Sequence, residues 1–70
     1  MLKHEHLWKL GDKYLQRAER LMNIRKKLDK MGLHKLACIV EDKKTEVFEI
    51  ACCTLSMAGR LELDEKEEPA

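Results

Sequence analysis

The sequence predicts an all-α protein: an antiparallel helical hairpin of two long helices, expected to dimerise into a four-helix bundle. Three observations carry this. Strong helix formers fill residues 4–61, and Gly32 is the only glycine or proline near the middle of the chain. Apolar residues recur at heptad spacing on both sides of that glycine. The apolar sectors are also wider than contact between two helices requires.

The first helix is expected over 4–31. Leu7, Tyr14, Leu21 and Leu28 recur every seven residues. Leu10, Ile24 and Met31 fill the offset of three, with Arg17 interrupting them, which makes an a/d pattern. Trp8, Leu15 and Met22 form a second row beside the first. Gly11 costs such a helix about 1 kcal/mol relative to Ala, and Asp12 offers an alternative start as a cap. Met31-Gly32-Leu33 has the form of a helix stop, with Gly32 left-handed and Leu33 folding back. Lys26, Lys27 and Lys30 set positive charge at the negative end of the helix dipole.

After a turn at 32–33, the second helix is expected over 34–61. Leu36, Val40, Val47, Ile50, Thr54, Met57 and Leu61 line one face, widened by Ala37, Ala51, Leu55 and Ala58, with Phe48 beside them. Asp42-Lys43-Lys44-Thr45 is the weak point, where Thr45 offers to cap a third helix. A hairpin turning near residue 32 sets Lys43 opposite Leu21 and Arg17 opposite Val47, which predicts a polar layer at Arg17 and Lys43. Residues 1–61 then form a single domain, and 62–70 an acidic tail expected to be solvated and frayed.

Seventy residues give one small domain. Such a chain buries only about 60% of its unfolded surface, and self-association is a usual remedy. Here both helices carry apolar flanks that a lone hairpin leaves wet, so a homodimer is the expected partner of each copy. The layout resembles the plasmid RNA-binding regulators of the Rop type in length, hairpin arrangement and acidic tail. That resemblance implies a dimeric bundle that contacts RNA through its first helices, and it is an analogy of fold.

Charge is divided between the halves. Residues 1–36 hold ten Lys/Arg and four Asp/Glu, a net of +6, while residues 37–70 hold four and nine, a net of −5. Lys9, Lys13, Arg17, Arg20 and Lys27 share one flank of the first helix. They are candidate phosphate-binding residues, because regularly spaced cations release counterions from nucleic acid. The competing expectation is that they pair with acids of the second helix such as Glu46 and Glu49, or with the acidic tail.

No constellation for catalysis, cofactor binding or metal ligation is legible. His4 and His6 are two residues apart and do not share a helical face, and His34 with Cys38 supplies only two ligands. No glycine-rich loop or paired-carboxylate motif occurs, so enzymatic activity is not expected. Cys38, Cys52 and Cys53 are odd in number and read as free thiols in a reducing, cytoplasmic setting. No apolar run reaches membrane-spanning length, so no membrane association is expected. The expected function is that of a small, non-enzymatic regulatory protein, a homodimeric helical bundle that binds another protein. Trp8, Leu15 and Met22 are its candidate partner-binding residues. The alternative is a nucleic-acid-binding regulator that uses the basic stripe.

Overall fold

A computed structural model describes residues 2–66. It contains two helices, α1 (Lys3–Lys30) and α2 (His34–Lys66), packed side by side as an antiparallel hairpin. Gly11 does not interrupt α1, and α2 passes through Asp42–Thr45 without a break. Thr45 does not cap a helix: its hydroxyl donates back to the Glu41 carbonyl at 3.1 Å, a bond a helix interior accommodates.

The stop at Gly32 is as expected. Gly32 has φ +79°, its N–H donates to the Asp29 carbonyl at 3.1 Å, and the Leu33 N–H donates to the Leu28 carbonyl at 2.9 Å. These are the two bonds of a Schellman motif, and they satisfy carbonyls that the helix end would leave orphaned. Nothing lies within 4 Å of a Cβ placed on Gly32, so only the backbone conformation restricts this site. Gly32→Ala should therefore cost about 1–2 kcal/mol in chemical denaturation, from left-handed strain alone.

The far end differs from expectation. Helix α2 continues five residues past Leu61, so Glu62–Lys66 belong to the hairpin, and residues 67–70 lie outside the described residues. Glu62 and Lys66 pair at 3.4 Å in the favourable i,i+4 order, and Glu65 is held across the hairpin by the His4 ring.

The two helices meet through their smallest residues. The buried positions are Gly11 and Ala18 on α1 and Ala37, Ala51 and Ala58 on α2, and no large side chain is fully buried among the described residues. The half-buried Leu7, Tyr14, Leu21 and Leu28 alternate with Gly11 and Ala18 along α1, and Val40, Val47, Thr54 and Leu61 alternate with the alanines of α2. The leucine and valine rows thus fall where the sequence placed them. The other row does not. Leu10 and Ile24 on α1, Met31 at its C-terminal cap, and Leu36, Ile50 and Met57 on α2 were expected in the seam and are exposed. The row one residue further along each helix occupies it instead. A seam of Gly and Ala lets the helices approach closely, and the larger residues are turned out onto the flanks. Gly11 shows how closely: a Cβ there would lie 2.5 Å from Leu55 Cδ2 and 2.7 Å from its Cγ.

Candidate interaction surfaces

The hairpin measures 60 × 16 × 10 Å, a ribbon one helix thick. Its exposed surface is 5711 Å², against about 4,500 Å² for a compact protein of this mass. A ribbon of this kind has two broad faces, and the seam between the helices covers neither.

The first face carries Trp8, Leu15 and Met22 from α1 beside Phe48 and Leu55 from α2. Trp8 is 40% and Phe48 49% exposed, while Leu15 and Leu55 are half-buried. A groove of about 300 Å³ runs between the helices here, lined by Leu15, Ala18, Met22, Lys44, Thr45 and Phe48. The three expected partner-binding residues therefore lie on one surface, joined by Phe48 and Leu55. Glu19 borders the groove, and Asp12 and Glu5, one and two heptads back, continue an acidic rim along α1. The corresponding rim of α2 is Cys38, Thr45, Cys52 and Gly59, all small.

The second face carries the displaced row: Leu10 and Ile24 from α1, and Leu36, Ile50 and Met57 from α2. Arg17 and Lys43 belong to the same rows and are exposed. The polar layer expected from them in the seam is absent, because the row that holds them lies outside it.

A different polar cluster enters the seam near the turn. Arg25 and Lys44 occupy the heptad positions that hold Gly11 and Ala18, or Ala37, Ala51 and Ala58, elsewhere. Arg25 Nε lies 3.1 Å from Glu41 Oε2, and both atoms are shielded from solvent. Lys44 Nζ donates to the other Glu41 oxygen at 2.8 Å, and Arg25 also reaches Asp29 at 3.7 Å. The Lys44 hydrogen bond, with Lys44 and Arg25 charge beside it, holds the Glu41 carboxyl below its ordinary pKa. A carboxylate with a lowered folded pKa stabilises the fold above its unfolded pKa, and that contribution is lost as pH falls through the folded value. Thermal melts should therefore show Glu41→Gln less stable than the parent at pH 7. The difference should shrink below about pH 4, where the parent carboxylate also protonates.

The basic stripe is presented to solvent. Lys9, Lys13, Arg17, Arg20 and Lys27 are all exposed, and none forms an ion pair among the described residues. The expected pairing with Glu46 or Glu49 does not occur, and Glu46 pairs with Lys43 at 3.4 Å instead. Arg17 stacks over the Tyr14 ring, 5.5 Å from its centroid.

Cys38, Cys52 and Cys53 are free and exposed. His4 and His34 point to carboxylates, Glu65 and Asp29, across the two ends of the hairpin. No group of three metal-ligating side chains occurs among the described residues, and no described helix is long and apolar enough to cross a membrane.

Ala37, Ala51 and Ala58 belong to the face expected of the second helix, at its margin and not its centre, whereas Gly11 and Ala18 were not expected in the seam, although a signal for them was present. Gly11 and Ala18 are seven apart, as are Ala51 and Ala58, with Ala37 two heptads before Ala51. No family model, curated protein or solved structure matches the chain.

Proposed function

We propose that this protein is a small, non-enzymatic interaction protein that works as a homodimeric helical bundle and binds another protein. One observation supports this above the others: the seam is closed by Gly and Ala, and large apolar side chains lie on both broad faces. Burying a few alanines stabilises little, at roughly 0.8 kcal/mol per methyl-sized group, against about 1.5–3 kcal/mol for each Leu, Ile or Phe fully covered. A hairpin built this way gains most of its stability from what covers its faces. Two faces fit two roles, one taken by a second copy and the other by a helical or apolar surface of a different protein.

Melting curves across a hundredfold range of protein concentration test the dimer. Dimerisation coupled to folding makes the melting temperature rise with concentration. A melting temperature independent of concentration overturns the reading.

A second reading has its own support in the five exposed cations that find no acidic partner on α2. Binding of RNA or DNA through this stripe would weaken steeply between about 50 and 200 mM salt. Fluorescence anisotropy with labelled duplexes decides it. Salt-sensitive binding that Arg17→Gln with Arg20→Gln removes would establish the nucleic-acid reading, and no binding at the lower salt would exclude it.

A further inference from the structure

Resting on the dimer reading above, we infer that a second copy of this chain docks on the Trp8 face with its turn at the same end, so that α1 of each copy lies on α2 of the other. The proposal starts from a mismatch in size. Along that face α1 presents a large row, Trp8, Leu15 and Met22, while the outer rim of α2 presents a small row, Gly59, Cys52 and Thr45. Both rows step by seven, and they run in opposite directions. They are level with each other as well. Gly11, three residues beyond Trp8, meets Leu55, four residues before Gly59. If the two-fold axis runs along the helices, Trp8, Leu15 and Met22 of one copy come level with Gly59, Cys52 and Thr45 of the other, large against small at every heptad. With the axis across the helices, α1 lies on α1 and the large row meets itself.

Gly59 is a second, independent observation. It sits inside α2, where it costs about 1 kcal/mol relative to Ala. Nothing within the hairpin requires it, since no atom lies within 4 Å of a Cβ built on it. Gly11 is explained by the close approach of Leu55, whereas Gly59 faces open space. A tryptophan from another copy, seated against the α2 backbone, accounts for a glycine there.

Charge favours the same arrangement. With α1 on α1, the acidic rim of Glu5, Asp12 and Glu19 that borders this face would approach its own copy. The area is also adequate. The hairpin exposes about 1,200 Å² more than a compact protein of its mass, and a standard interface buries about 800 Å² per partner. The second face and the basic stripe stay free.

The test combines a distance with a substitution. With Cys38, Cys52 and Cys53 replaced by Ser, a single spin label is placed through Met31→Cys beside the turn, and the distance between labels is measured by pulsed electron resonance. Turns at the same end give a separation below about 25 Å, whereas turns at opposite ends give about 40 Å, the length of a 28-residue helix. Gly59→Leu should weaken dimerisation at least tenfold while the circular dichroism at high concentration stays helical, because a Cβ at this position has nothing within 4 Å in the hairpin. Trp8→Ala should weaken it comparably. Added to Gly59→Leu, it should cost much less than it does alone, because the two residues meet across the interface. A dimer with labels at opposite ends overturns the arrangement and leaves the dimer reading standing. A dimer unaffected by Gly59→Leu overturns the choice of face. A monomer at every concentration overturns both.

Discussion

Ala51→Leu should unfold the hairpin or cost it at least about 3 kcal/mol in chemical denaturation. Ala51 is fully buried at the centre of the seam, flanked one heptad away by Ala58 and two by Ala37. Overpacking a well-fitted core costs about 1–3 kcal/mol where neighbours can adjust. Here the obstacle is the opposing helix, so three added carbons must push the two helices apart along several turns. That separation also loosens the contacts of Ala18 and Ala58. The matched control is Ile24→Gln. Ile24 is larger and more hydrophobic than Ala51, yet it stands exposed on the second face, and its replacement should change stability by less than about 0.5 kcal/mol. If the two substitutions cost the same, the seam has been assigned to the wrong rows.

Gly11→Val should cost about 2–3 kcal/mol, even though valine is the better helix former. The site is filled by the Leu55 side chain, with Cδ2 and Cγ 2.5 and 2.7 Å from where a Cβ would sit. Valine adds that Cβ and two methyls. Either Leu55 is expelled toward the first face or α2 moves away from α1. Pairing the change with Leu55→Ala separates these outcomes. The double variant should recover more than half of the loss relative to Leu55→Ala alone, a coupling expected only of residues in direct contact. Additive costs would mean that Leu55 is not what fills the space above Gly11.

The same residues show what was legible in the sequence. The hairpin, its turn and the leucine and valine rows follow from heptad spacing and from Gly32, because burial periodicity and left-handed caps are local features. The second seam row was misplaced because hydrophobicity favoured Leu10 and Ile24 over Gly11 and Ala18, and set Ile50 and Met57 at the centre of a face whose margin held Ala51 and Ala58. Closeness of approach decided the matter, and small residues permit it where leucines do not. The polar cluster of Arg25, Glu41 and Lys44 escaped for the same reason, since shifting the seam by one residue moves Arg17 and Lys43 out and these three in. The end of α2 was set too early because the acidic stretch after Leu61 reads as a solvated tail, while the partners of Glu62 and Glu65, Lys66 and His4, lie a turn away and across the hairpin. The grouping of Trp8, Leu15 and Met22 was legible from spacing alone. Their meeting with Phe48 and Leu55 required the register of the two helices.

The most direct test of the central claim, that this hairpin is half of a larger helical bundle, is the mass of the intact chain in solution by light scattering. The expected result is a particle of twice the 8.2 kDa chain mass at micromolar concentration, with full helical circular dichroism. A fully helical particle of the single-chain mass, stable at the same concentration, would contradict it.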